Sequence, residues 1–169
     1  GYRTPRAEKG ERPGLPGGLV QDAYRLLRGD SHLLFTNSRS RTEELAAALS
    51  ALCDRNFVPN EFFPHHGSLA PDLRRSLEER LQKKDLPTTA VCTSTLELGI
   101  DIGSVASIGQ VGEPGTVSGL RQRLGRSGRR GGPAVLRVFA EEDETGPDSH
   151  PADALRLSLV QTAAVLSLL

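Results

Sequence analysis

The chain contains no methionine and only two cysteines, carries no net charge, and has no apolar run approaching the length of a membrane span. Each absence removes a class of answer. A spanning helix needs roughly 20 consecutive apolar residues, and the start of the chain lacks the charged-then-apolar pattern of a leader. A soluble, cytoplasmic protein with no membrane partner is therefore expected. Cys53 and Cys92 belong to no paired metal spacing and sit in the apolar runs Ala51-Leu52-Cys53 and Ala90-Val91-Cys92. Buried reduced thiols are expected there rather than a disulfide. The missing methionine, with a start at Gly1, is expected of a processed product or a piece of something larger. Lys plus Arg (21) equals Asp plus Glu (21), which excludes a protein acting through bulk basicity.

Neutrality overall hides an uneven distribution. Arg121, Arg123, Arg126, Arg129, Arg130 and Arg137 share a stretch with no acid, and Glu141, Glu142, Asp143, Glu144 and Asp148 follow at once. Within that stretch, Gln122-Arg123-Leu124-Gly125-Arg126-Ser127-Gly128-Arg129-Arg130-Gly131-Gly132 sets arginines on a glycine-rich backbone. A solvated basic turn would not need the glycines, and a flexible linker would not need the arginines. Glycine lets the backbone approach a ligand closely, and the guanidinium fork fits phosphate and stays charged. The segment reads as a device for gripping phosphate.

The 169 residues suffice for one core. Residues 1–18, rich in Gly, Pro and charge, read as a linker or disordered arm. Leu19–Leu27 predicts a short helix with Leu19, Ala23, Leu26 and Leu27 on one side. Strands are predicted at His32–Thr36, Phe62–His65, Thr89–Thr93, Val105–Val111 and Ala134–Ala140, with Pro64 assigning the second to an edge. Ser40-Arg41-Thr42-Glu43 has capping-box spacing and opens a helix over about 40–53. Pro71 opens another, with Leu73, Leu77 and Leu81 aligned. Strands alternating with helices imply an α/β sandwich on a mainly parallel sheet, with ligands beyond the carboxyl ends of the strands. Both informative segments, Thr93–Gly103 and the arginine stretch, are expected to reach that edge. A polar break at 141–150 is expected as a solvated loop. Pro151–Leu169 predicts an apolar helix, with Leu155, Leu159, Ala163 and Leu166 in line, that packs on a further domain.

Four segments, in order, resemble motifs of the second RecA-like lobe of a superfamily 2 helicase. Leu33-Leu34-Phe35-Thr36-Asn37-Ser38-Arg39 is similar to motif IV, and His65-His66-Gly67-Ser68-Leu69 with Arg74 to motif IVa. Thr93-Ser94-Thr95-Leu96-Glu97-Leu98-Gly99-Ile100-Asp101-Ile102 is similar to motif V, and Gln122 to Arg129 to motif VI. The wording, including Leu155-Arg156-Leu157-Ser158-Leu159-Val160-Gln161, resembles the large helicase-related (Lhr-like) branch, which often carries His where this chain has Arg129. The resemblance implies a RecA-like C-terminal lobe over 19–148, and over 149–169 a helix leading to an absent C-terminal domain.

It also implies roles. Arg126 and Arg129, with Gln122, would act catalytically on nucleotide phosphates across an interlobe cleft. Asp101, Gly99 and Arg123 would lie at the cofactor. Thr36, Arg39, Gly67, Arg74, Thr93 and Ser94 would hold the backbone of single-stranded nucleic acid, with DNA favoured. Two tyrosines and five phenylalanines leave few stacking platforms, so backbone tracking is the expected mode. Hydrolysis needs a phosphate cradle and a metal site. The Gly-x-x-x-x-Gly-Lys-Ser/Thr cradle is missing, and no Asp-Glu pair follows an apolar strand in a way that would hold Mg2+. ATP with Mg2+ is thus expected to be bound mainly by an N-terminal RecA-like lobe, and the isolated chain to be inactive. A DEAD-box-like RNA helicase lobe, against which Gln122 argues, and a non-catalytic scaffold module are the alternatives. Plainer readings stand beside these: Asp101 as a strand-end turn residue, Glu97 as an exposed helix acid, and His65 and His66 as non-ligands, since neighbours in extended backbone point opposite ways. Ser38, Ser68 and Ser127 lack the base partner of a nucleophile.

Overall fold

Where an apolar run is covered on both faces it has no polar side to show; the five short runs of this chain become parallel strands, the three central ones fully buried. The computed structural model describes residues 1–4, 14–94, 102–128, 132–143 and 156–169. In chain order the elements are β1 (Tyr2–Thr4), α1 (Gly17–Leu26), β2 (Ser31–Phe35), α2 (Arg39–Arg55), β3 (Phe62–His65), α3 (Pro71–Lys83), β4 (Thr88–Cys92), β5 (Ser107–Val111), α4 (Val117–Leu124), β6 (Leu136–Phe139), β7 (Glu141–Asp143) and α5 (Leu157–Ser167). The main sheet has the order β3-β4-β2-β5-β6, with every adjacent pair parallel. Pro64 does lie on an edge strand.

Alternation along the strands divides the core in two. Leu34 and Val91 face α1 and α2, packing with Leu19, Ala23, Leu45, Leu49 and Phe62. Their neighbours Leu33, Phe35, Ala90 and Cys92 face the other way, onto Leu77 and Leu81 of α3. The result is a three-layer α/β/α sandwich, as the alternation of elements implied. Cys53 and Cys92 are free, buried thiols.

Several boundaries and faces differ from the sequence expectation. Residues 2–4, expected in a linker, form β1 and pair in parallel with β7, which replaces part of the expected solvated loop. Tyr2 holds this clasp to the lobe, donating to Asp22 Oδ2 at 2.8 Å and stacking on Phe139. The cap of α2 is Ser38, whose hydroxyl accepts from Arg41 N at 3.2 Å, and Ser40 lies inside the helix. Leu26 and Leu73 sit on their predicted helices but point outward, at 40% and 61% exposure. The stretch 144–155, with Leu155 and most of the polar break, lies outside the described residues. Helix α5 presents Leu157, Leu159 and Leu166 at the surface and buries Thr162. Among the described residues no helix is long and apolar enough to cross a membrane.

Candidate functional site

Two groups of expected site residues occupy different places. The first is a rim at the carboxyl ends of β2, β3 and β4. Thr36 N donates to Cys92 O at 2.8 Å and Thr93 N to His65 O at 3.3 Å, so the turns after the three strands lie side by side. Thr36 is buried. Its Oγ1 lies 2.7 Å from Thr42 Oγ1, and both hydroxyls lie 3.1 Å from Ser38 O. Its hydroxyl therefore shapes the start of α2 and is not presented to a ligand. Gly67 and Ser94 are exposed and Thr93 is half-buried. Arg39 reaches across from α2 and donates to Ser68 Oγ at 2.8 Å, tying the turn after β2 to the turn after β3. Arg74, in the first turn of α3, is half-exposed. The histidines beneath are buried. His65 Nε2 meets Glu78 Oε1 at 2.9 Å, and His66 Nε2 lies 3.0 Å from Glu43 Oε1 in a geometry too poor for a hydrogen bond. Among the described residues no group of His, Cys, Asp and Glu is arranged to hold a metal ion.

The second group follows α4, a helix the sequence reading left out. Thr116 caps it, its hydroxyl accepting from Gly119 N at 3.1 Å, and Leu120 anchors it in the core. Three residues on, Arg123 falls on the same inward face while Gln122 turns out to solvent. Arg123, expected beside the cofactor, lays its guanidinium over the buried ring of Phe35, 4.6 Å from the centroid, and donates to Gln110 Oε1. Gln110 is completely buried on β5. Its amide donates to Asn37 Oδ1 at 3.3 Å, and Asn37 Nδ2 donates to Glu113 O at 3.1 Å. Sequence reading missed Gln110 and gave Asn37 only a place within the motif IV-like segment. The signal available was an amide inside the otherwise apolar strand Ser107-Ile108-Gly109-Gln110-Val111.

The described part of the arginine segment, residues 122–128, does not lie at the carboxyl edge. Val105, which precedes β5, bridges in parallel to Ser127, and its N–H donates to Arg126 O at 2.9 Å. Ala106 N donates to the carbonyl of Ser31, the first residue of β2. The segment is therefore stitched to the amino ends of the strands, because α4 runs back across the sheet. This corrects the expectation that both informative segments share one edge. Ser127 is buried; its hydroxyl donates to Ala106 O and accepts from Val135 N, both at 3.3 Å. Gly128 has φ +79°, and a Cβ there would meet Ala134 N at 2.8 Å, so only glycine fits. Arg126 emerges half-buried from this anchored backbone. Gly99, Asp101 and Arg129 lie outside the described residues, as do Glu97 and Arg130.

Below the segment, at the amino ends of β2 and β5, His32 Nδ1 lies 2.8 Å from Ser107 Oγ. Burial, reinforced by Arg137 and only partly opposed by Asp30 and Glu61, lowers the His32 pKa to about 4. The imidazole is thus neutral near pH 7 and belongs to the floor of the fold.

Residues 18–131 match the family model described as the helicase conserved C-terminal domain. The chain belongs to that family. The ATP-dependent helicase Lhr-Core of Methanothermobacter thermautotrophicus is 38% identical over 98 residues, covering 58% of this chain and 11% of the relative. The Lhr helicase/uracil glycosylase of Escherichia coli is 32% identical over 154 residues, covering 75% of this chain and 10% of the relative. Among solved structures, Mycobacterium smegmatis helicase Lhr bound to ssDNA and AMP-PNP superimposes with a TM-score of 0.69 at 25% identity, over 95% of this chain and 20% of that one. These likenesses make the sandwich a RecA-like C-terminal lobe of the Lhr-like kind. They also set its scale, since the lobe spans 11% and 10% of the length of those two curated relatives.

Proposed function

We propose that this lobe is the second motor half of an ATP-dependent helicase or translocase acting on single-stranded DNA. The observation that carries the reading is the separation of two cationic devices on one sandwich: a rim of strand-end turns and an arginine segment anchored at the opposite ends of the strands. The rim suits a nucleic-acid backbone. Arg39, Arg74 and the exposed turns at Gly67 and Ser94 offer cations and N–H groups for phosphates and no ring for reading bases. The arginine segment suits a nucleotide. Its donors are guanidinium groups and the Gln122 amide, which fit anionic phosphate and not a metal ion.

In this reading Arg126 and Arg129 face the phosphates of ATP from across a cleft, with Gln122 beside them. ATP bound there with Mg2+ would supply the free energy of phosphoryl transfer, and the cradle and metal ligands would come from an N-terminal lobe. The arginines neutralise charge that builds on the transferring group, and Ser127 and Gly128 keep their backbone from rearranging while they do so. Asp101 and Gly99 would lie at the same nucleotide, on its ribose side. DNA is favoured over RNA because the Mycobacterium smegmatis relative is described with ssDNA.

Full-length protein assayed for strand displacement on DNA and DNA–RNA hybrid substrates tests the reading. ATP turnover should rise with single-stranded DNA and drive displacement, while the isolated lobe shows no turnover and only weak, salt-sensitive strand binding. A full-length protein that binds strands without turning over ATP would instead be a scaffold.

A further inference from the structure

The rim and the arginine segment are connected through one buried amide, and we infer that Gln110 and Asn37 are positioning residues that couple strand occupancy at the rim to the setting of the arginines. The inference rests on the motor reading above. The turn after β2 carries Asn37, and two residues later Arg39 holds Ser68 on the neighbouring rim turn at 2.8 Å. From that turn the path runs inward. Asn37 Oδ1 accepts from Gln110 Nε2 at 3.3 Å, and Gln110 Oε1 accepts from Arg123. The same Nε2 donates to Val111 O at 2.8 Å, so the amide cannot rotate without losing partners on both sides. Arg123 is clamped over Phe35 in the last turn of α4, and just past the helix end Arg126 N donates to Arg123 O at 3.0 Å.

Two features mark the contact as built. Gly112 has φ +72°, and a Cβ there would press on Asn37 Nδ2 at 3.2 Å, so glycine at this place lets the asparagine settle against the end of β5. Gln110 is a fully buried amide in an apolar strand, where an aliphatic residue would pack at no desolvation cost. A buried amide satisfied on both sides fixes one geometry. A rim displaced by a bound strand moves Asn37, and the shift passes through Gln110 to Arg123 at the end of α4, from which the arginine segment leads off.

The test uses the full-length protein and measures ATP turnover with and without saturating oligo-dT, the Kd for oligo-dT, and thermal unfolding. Gln110→Met keeps the volume and removes both contacts. Asn37→Ala removes the rim end from an exposed site where folding is not at stake. Each should cut the ratio of stimulated to unstimulated kcat at least about fivefold, the lower range of measured couplings, with Kd for oligo-dT within about twofold. The double variant should lose little more than either single one, since both break the same path. A wild type without strand-stimulated turnover overturns the motor reading and the coupling together. A stimulated wild type whose Asn37→Ala variant keeps its ratio within about twofold overturns the coupling alone. So does a fully additive double variant, or a loss that appears only as weaker oligo-dT binding.

Discussion

The rim and the arginine segment are made of similar side chains held in opposite ways. At the rim, Arg39 is an exposed cation with a single hydroxyl under it, and Arg74 stands half in solvent on the first turn of a helix. In the segment, Arg123 is pressed onto Phe35, the Arg126 carbonyl is bonded to Val105, Ser127 is buried and Gly128 is lodged against Ala134. A loosely held cation can follow a phosphate that slides past it. A tightly held backbone can meet developing charge without reorganising, the condition under which electrostatic stabilisation is strongest. Translocation needs the first property, and transition-state stabilisation the second.

The sharpest way to break this contrast is in the segment. In full-length protein, Arg126→Ala and Arg129→Ala should each lower kcat for ATP about a thousandfold. Nucleotide and strand affinities should move by less than about threefold, because the contact strengthens only as the reaction proceeds. Lysine at either position should rescue incompletely, since a point charge lacks the fork. Arg130→Ala is the control. Damage from it equal to that of Arg129→Ala, in steady-state turnover, would reduce the segment to a diffuse basic patch.

The floor under the segment supplies the next test. The His32 pKa is about 4 in the folded lobe against an ordinary 6.5. The unfolded chain therefore binds the extra proton between those values, and stability falls as pH drops through that window. Its contribution is complete above pH 6.5, and about 2 kcal/mol of it is gone by pH 5. His32→Gln, which can keep a bond to Ser107, should flatten that part of the curve in urea denaturation at pH 7 and pH 5. An unchanged pH dependence would show that the imidazole is not the group responsible.

The smallest effect belongs to the rim. Arg39→Ala and Arg74→Ala should each weaken oligo-dT binding a few-fold and shallow the salt dependence of log K by about 1, uniformly across base composition. A change that depended on base identity would mean the rim reads sequence and does not merely hold backbone.

How much of this was legible in the sequence follows from where each signal lives. Val91, Leu33 and Ile108 lie in short apolar runs because both faces of their strands are covered, so the sheet could be read directly. The arginine segment could be singled out by its composition, but not placed, because its position depends on Val105 pairing with Ser127 across an intervening helix. The α2 cap was assigned to Ser40 because only Ser40 has Glu three residues on, whereas the extended backbone of Ser38 (φ −150°) marks the true start. Strand β1 was unreadable. Tyr2-Arg3-Thr4 has no periodicity, and its partner β7 comes only after the last strand of the main sheet. Gln110 was visible only as an oddity, an amide among aliphatics, and its meaning required knowing that Arg123 and Asn37 meet it from two sides.

The β1–β7 clasp carries a mechanical consequence. The strands run parallel, with Tyr2 beside Glu141 and Thr4 beside Asp143. The Gly1 end of β1 and the chain beyond Asp143 thus lie at opposite ends of the pair. Tension between them loads the slanted hydrogen bonds of the ladder in shear, all together, and cannot peel them one at a time. Force transmitted along the polypeptide is then borne by the clasp before it reaches the sheet that sets the rim and the arginines, and Tyr2, bonded to Asp22 and stacked on Phe139, is the rivet through which it passes.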